Sequence, residues 1–447
     1  MRSELGNPLT RLPVQPDRKA DAFDDDDIGA ARSRSGQPHS VMAASHHVDS
    51  TARDRISSTE RSVTGIESPT MRNHRALTRD RNLGAKLSTV GTPVCGPNDV
   101  MVAPRFVGLC GTDIQVFRRA RRARANTLGH EGVGIVVEVG RLVEGWSPGD
   151  SVVFNPPNPS NPNEILGHSF DGLFQEKILV QNVGPVNWLI HSVPAEMLSP
   201  IGALIEPVAT AIYSRELVNG SSASGGRIAV VVGDGPVALI NSIVLRLGGF
   251  TTVLMIHGRS HRYRWAVDGG YFDDGDVIFG RDDVVENVME RLGGALADVA
   301  IVCTPGETVE QALKDALRYL KPDGIVNLVS AATPSVVSIE GRDLVVTAIR
   351  RRNWCGYPSP GYFERIETAG GKIVRLTGQR GTSASHLNAS IELLGGRTSD
   401  FDALITDVVD LADAPALISS AVAWSLGRPE GGKRPMKAVI ELNKDEF

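Results

Sequence analysis

The chain is short of paired cysteines, of net positive charge and of long apolar runs, and each shortage removes a class of function. Its four cysteines, Cys95, Cys110, Cys303 and Cys355, are scattered with no C-x-x-C pair among them. That spacing suits neither a disulfide framework nor a zinc knuckle, and a reducing cytoplasmic compartment is expected. A net charge of −5 and a sequence pI near 6.1 argue against nucleic acid and anionic membrane as partners, because both require a basic face. The most apolar stretch, Ile228 to Leu247, is broken by Gly233, Asp234, Gly235, Pro236, Asn241 and Arg246, which makes it a poor membrane span. Nor does the N-terminus carry the apolar core of a signal peptide.

What is present is an ordinary globular composition. The 447 residues are 41% hydrophobic, enough for a sizeable core and two or three structural units. Residues 1–71 depart from that texture. Up to residue 70 they hold one aromatic side chain, Phe23, with an acidic run at Asp24 to Asp27 and many Ser, Arg, Asp and His. Too little apolar surface is available there to offset chain entropy, so a disordered tail is expected, with Met71 as an alternative start. From residue 72 short β-rich runs broken by Gly and Pro ("DVMVAP", "GVGIVVEVG", "GDSVVF", "LFQEKILV") predict a mostly β unit ending near 211.

Residues 212–347 change period. "IAVVV" at 228–232, then "TVLMI", "VAIVC" and "IVNLV", are compact apolar runs of the kind buried parallel strands need. Between the last two, "TVEQALKDALRYL" places Val309, Ala312, Leu313, Ala316, Leu317 and Leu320 on one helical face. Strands alternating with helices predict an α/β doubly wound parallel sheet. Residues 348–447 return to mixed β and helix, with "MKAVIEL" a terminal strand, and are expected to fold back onto the first unit.

The first apolar strand runs into "GDGPVA", where Gly233, Gly235 and Ala238 fill G-x-G-x-x-[G/A]. The first glycine permits the tight turn, the second lets the backbone approach a pyrophosphate, and the small third residue lets helix pack on strand. Unpaired N–H groups at the helix start then face the anion. Dinucleotide sites of the NAD type usually end the second strand in a carboxylate. Here His257 stands in that place, followed by Arg259, His261, Arg262 and Arg264. A missing acid beside guanidinium forks suits a 2′-phosphate, so NADP(H) is expected over NAD(H). The same arginines would also suit a solvated loop.

Two fragments point to a metal. "GLCGTDI" (108–114) and "LGHEG" (128–132) offer a thiolate, an imidazole and a carboxylate within about twenty residues, donors that borderline metals prefer. A buried thiol and a hydrogen-bonded core histidine would give the same letters, so the remaining motifs decide.

Taken in order, "GLCGTD", "GHEGVGIVVEVG", "GDSVVF", "FDGLFQEKILV", "LIEPVATAIYS" and "VVVGDGPVA" resemble the zinc-dependent medium-chain alcohol and polyol dehydrogenases over residues 72–447. The resemblance implies a GroES-like β-rich catalytic domain built from both ends of the chain, with a Rossmann domain inserted between them. It implies one catalytic zinc held by Cys110 and His130, with Glu131 a direct or exchangeable ligand and Glu206, in "LIEPVA", completing or flanking the site. It gives Asp113 the task of orienting the histidine, Thr112 that of accepting the substrate's hydroxyl proton, and Thr304, after Cys303 at a strand end, a place at the cofactor. Thr112 also suits a plain turn residue. Cys303 is read as a small packed hydrophobe beside the nicotinamide.

Two departures stand out. The region that in many relatives carries four cysteines for a structural zinc reads "NPPNPSNPNEILGHSF" here, so no structural zinc is expected, and His168 within it is read as a surface or supporting histidine. Gln115 stands where relatives often have the histidine that ends a proton relay. The function implied is hydride transfer between NADP and a secondary hydroxyl of a polyol, sugar or cyclitol. Residues 378–394 ("GQRGTSASHLNASIELL") loosely resemble sugar and aminocyclitol dehydrogenases. The partner is then a small polar alcohol or ketone, in a homodimer or homotetramer. The competing readings are a primary-alcohol or threonine-type dehydrogenase, a zinc-free quinone-reductase-like relative, and a nucleotide-binding sensor or structural subunit without turnover.

Overall fold

The strand Val100–Gly108 is buried along almost its whole length, as a central strand must be when both neighbours are paired. One neighbour is Glu131–Val139 and the other is Lys437–Glu441, from the far end of the chain. Pro104 has no N–H to give to the ladder, and the register with Glu131–Val139 shifts between Pro104 and Phe106, where a bulge absorbs it. In the computed structural model, which describes residues 72–184, 187–219, 227–258, 260–280, 282–304, 306–330, 335–428 and 435–444, this strand organises the first of two seven-stranded sheets. Its order is Ile405–Asp410, Lys437–Glu441, Val100–Gly108, Glu131–Val139, Ser151–Phe154 and Ile190–Ser192, with Ile178–Val180 pairing on Val100–Gly108. The catalytic sheet is thus made from both ends of the chain. The expected tail at residues 1–71, and Arg259, lie outside the described residues.

The second sheet runs Val277–Phe279, Phe250–His257, Arg227–Val232, Ala297–Val302, Leu320–Leu328, Ile373–Gly378 and Glu364–Glu367. The first six strands are parallel and in chain order read 3-2-1-4-5-6, the doubly wound dinucleotide-binding order. The helices Pro236–Leu247 and Val309–Tyr319 are among its crossovers, and the second buries Val309, Ala312, Leu313, Ala316 and Leu317, the face read from the sequence. Leu320, expected on that face, opens the next strand instead, because Pro322 disfavours helical geometry in the residue before it.

A second correction concerns the boundary at residue 347. Ile373–Gly378 extends the parallel sheet and Glu364–Glu367 pairs antiparallel at its edge, so the strands returning to the catalytic sheet begin at Ile405. The strand Ile373–Gly378 carries a partly exposed Arg375 among its apolar residues, which hid its membership of a buried sheet.

Ile205–Val218 is buried on nearly all sides, including Ile205, Val208, Ala209, Ala211, Ile212 and Leu217. Its side chains share one core with Val133 of the catalytic sheet and Val231 of the parallel sheet, and this element carries Glu206. No helix among the described residues is long and apolar enough to cross a membrane.

Candidate active site

Cys110 follows the strand Val100–Gly108 and caps the helix Gly111–Phe117. Its backbone N–H donates to Asp113 Oδ2 at 3.0 Å, so the carboxylate that closes the helix start also fixes the backbone that carries the thiol. Asp113 is wholly buried. Its other oxygen accepts from the Gly129 N–H at 3.4 Å and lies 3.5 Å from Nδ1 of His130. Gly129 is required on two counts: its φ is +91°, and a Cβ there would sit 2.8 Å from Phe174. That turn delivers His130 and then Glu131, the first residue of its strand.

The donor atoms of Cys110, His130 and Glu131 all lie within 4.8 Å of one another. The Thr112 hydroxyl donates to the Cys110 sulfur at 3.2 Å. Glu206, in the first turn of Ile205–Val218, accepts from the Thr210 hydroxyl at 3.3 Å. Burial and the neighbouring Glu131 carboxylate push Glu206 up to about 7, against the lowering influence of His130, Lys437 and Thr210. Burial lowers His130, yet the Asp113 carboxylate and the Cys110 sulfur overcome it and hold the ring well above the ordinary imidazole range.

These observations fit a zinc ion. The donor set is one sulfur, one nitrogen and carboxylate oxygen. Nδ1 of buried His130 faces the Asp113 carboxylate at 3.5 Å, which leaves the other ring nitrogen to bind a metal, and the cluster as it stands favours a proton on His130 that a cation would displace.

Lys437 is the site residue that sequence reasoning missed. It is 3% exposed and forms a buried ion pair with Glu131. Burial alone would lower this ammonium, but Glu131, Cys110 and Glu206 hold it above its ordinary value. Gly108 makes room for the pair, since a Cβ there would come 2.7 Å from Lys437 Cε and 3.1 Å from Glu131 Oε2. The available signal was a lysine inside the apolar run "MKAVIEL", because a buried ammonium needs a partner. His168 does not join the donor cluster; its ring stands 5.1 Å from that of His130, tilted by 42°.

At the parallel sheet, Gly233 follows Arg227–Val232 with φ +147°, and a Cβ there would lie 3.1 Å from Cys303 Cβ and 3.2 Å from Ala238 Cβ. Gly235 caps the helix Pro236–Leu247, whose first residue is a proline, at the point where strand order reverses. His257 ends Phe250–His257, fully buried. The Arg262 guanidinium reaches back and donates to the Asp234 carbonyl at 2.6 Å, placing a cation against the glycine turn. Thr304 is buried and shares a hydrogen bond with the Thr308 hydroxyl. Burial pushes the Cys303 thiol far above its usual range, so it is no nucleophile.

Residues 96–189 match the alcohol dehydrogenase GroES-like domain. The chain is 27% identical over 253 residues to sorbitol dehydrogenase of Mus musculus, covering 51% of this chain and 67% of that protein. It is 26% identical over 363 residues to 2-dehydro-3-deoxy-L-galactonate 5-dehydrogenase of Pseudoalteromonas atlantica, covering 76% and 91% respectively. Among solved structures, a zinc-binding dehydrogenase from Sinorhizobium meliloti 1021 bound to NADP superposes with a TM-score of 0.61 at 22% identity, covering 83% of this chain and 99% of the other.

Proposed function

As a member of the zinc-dependent medium-chain alcohol and polyol dehydrogenases, this chain is an oxidoreductase, and we propose that it transfers hydride between NADP and a secondary hydroxyl of a polyol, sugar or cyclitol. The observation that carries this reading is the convergence of Cys110, His130 and Glu131 donor atoms within 4.8 Å in a chain whose parallel sheet bears a pyrophosphate turn at its switch point. Cys110 and His130 would hold the metal. Glu131 and Glu206 supply the remaining oxygen donors, directly or in exchange. Zinc, when bound, supplies a Lewis acid that makes an alcohol easier to deprotonate.

The chain's own groups then have defined tasks. Asp113 fixes the His130 ring, and Lys437 pairs with Glu131 and holds its carboxylate in place beside the cluster. The Thr112 hydroxyl, half-buried and already bonded to the Cys110 sulfur, takes the proton lost by the substrate hydroxyl. Gln115 does not titrate, so the outward step ends in solvent. NADP, when held at the glycine turn, would supply the nicotinamide that accepts a hydride from the carbinol carbon.

The preference for NADP rests on the absence of a carboxylate at His257 and on Arg262 at the turn, with Arg259 two residues beyond His257 in the sequence. The structural neighbour from Sinorhizobium meliloti carries NADP. The test is a pair of titrations: NADPH should bind more tightly than NADH, and Arg259→Ala should weaken NADPH about tenfold while moving NADH much less. An unchanged ratio in the variant sinks the 2′-phosphate assignment. A single catalytic zinc and a homodimer or homotetramer complete the proposal.

A further inference from the structure

From Ile201 to Ser214 every residue is buried except Glu206 and Thr210, which are partly exposed. One turn apart, they share a face of the helix Ile205–Val218, and the Thr210 hydroxyl donates to Glu206 Oε1 at 3.3 Å. The charges acting on Glu206 are those of Glu131, His130 and Lys437, so this face of the helix borders the donor cluster.

Thr210 is itself held from the parallel sheet. Gln379, 2% exposed, follows the strand Ile373–Gly378, and its side-chain amide donates to the Thr210 carbonyl at 2.6 Å. That carbonyl can only accept, so Gln379 must present Nε2 to it and turn Oε1 the other way. There Oε1 accepts from Asn327 Nδ2 at 3.0 Å, and the second hydrogen of the same amide goes to the Ser214 hydroxyl oxygen at 2.7 Å. Asn327 is wholly buried near the carboxyl end of Leu320–Leu328, the strand paired with Ile373–Gly378. The Ser390 hydroxyl, from the helix Ala384–Gly396, donates to the Ile205 carbonyl at 2.7 Å. The helix that carries Glu206 is thus fastened on both sides of it by directional bonds. These bonds are not the cheapest way to fill the space. Asn327 Oδ1 has no hydrogen-bond partner among the described residues, and an apolar side chain of that size would cost less to bury. What the polar network supplies is a unique position for the helix.

We propose that Thr210 and Gln379 are positioning residues for Glu206. The Thr210 hydroxyl holds one carboxylate oxygen and leaves the other to serve a bound metal, while Gln379, backed by Asn327, holds Thr210 in place. The inference rests on the dehydrogenase reading and adds to that same site two residues that act through Glu206. The same bonds set this carboxylate relative to the carboxyl ends of the parallel strands, where a dinucleotide binds.

The test loads the full chain with cobalt(II) to record its visible absorption, and measures zinc(II) affinity by chelator competition. Wild type is compared with Thr210→Val, which keeps the side-chain shape and loses the donor, with Thr210→Ser, which keeps the donor, and with Gln379→Leu. Thr210→Val and Gln379→Leu should shift the cobalt bands and weaken zinc at least about tenfold, while Thr210→Ser stays within about threefold of wild type. A merely structural role would lower Tm and leave the cobalt spectrum and zinc affinity of the folded variants unmoved, and that result overturns the proposal. So does an equal loss in Thr210→Ser and Thr210→Val, since the hydroxyl is then not the cause. Should Gln379→Leu fail to fold, the two Thr210 variants decide. A wild type that takes up neither ion overturns the dehydrogenase reading together with the proposal, whereas uptake that no variant alters overturns the proposal alone.

Discussion

Lys437 and Glu131 show how much a single buried pair can carry. Removing one partner of a buried ion pair leaves an uncompensated charge, at a cost of about 3–5 kcal/mol. Lys437→Met should therefore lower the unfolding free energy of the metal-free protein by about that amount in urea, and added zinc should recover part of the loss by neutralising Glu131. A deficit that zinc leaves untouched contradicts a metal-facing Glu131. Glu206 makes a second prediction at this scale. Its folded-state pKa of about 7 lies above its ordinary value of 4.5, so between these values the folded chain binds more protons than the unfolded one. Stability then falls as pH rises through that window. Glu206→Gln in the metal-free protein should flatten this fall, read as Tm against pH from 4.5 to 7; an unchanged slope contradicts the raised carboxyl. Cys110, Asp113, His130 and Glu131 were legible in the sequence because each lies in a short motif whose geometry is local. Lys437 was not, since its partner is 306 residues away.

Elements, rather than single side chains, bring the donors together. One turn, at Gly129, controls the approach of His130 to Cys110, and its positive φ and contact with Phe174 leave no room for a Cβ. Gly129→Ala should reduce zinc affinity at least about tenfold by displacing His130, with the far-ultraviolet circular dichroism unchanged. Retained affinity would show that the turn does not set the ligand's position. The strand, turn and helix around Gly233 were legible because an apolar run, two glycines and a small third residue impose one geometry. The end of Val309–Tyr319 was misplaced by one residue because periodicity continued through Leu320 while Pro322 had already ended the helix. The last two strands of the parallel sheet were assigned to the wrong unit because an edge strand and a half-exposed neighbour lack the continuous apolar run that marks a buried strand.

Across the whole molecule, the donors sit on the catalytic sheet and its first helix, Glu206 sits on the shared buried helix, and Lys437 arrives on the strand that closes the catalytic sheet from the C-terminal end. Fold class followed from the order of runs and glycine turns, which are local signals summed over length. The hydrogen bond from the Asn155 amide to the Thr382 carbonyl joins segments 227 residues apart, and no local pattern reports it. The central claim is that Cys110, His130 and their carboxylate neighbours form a metal site. It is tested most directly by elemental analysis of the wild type beside Cys110→Ser and His130→Ala. About one zinc per chain in the wild type, and little in either variant with the fold retained, is the predicted result. A wild type that neither contains zinc nor takes it up, or variants that keep it, would contradict the account.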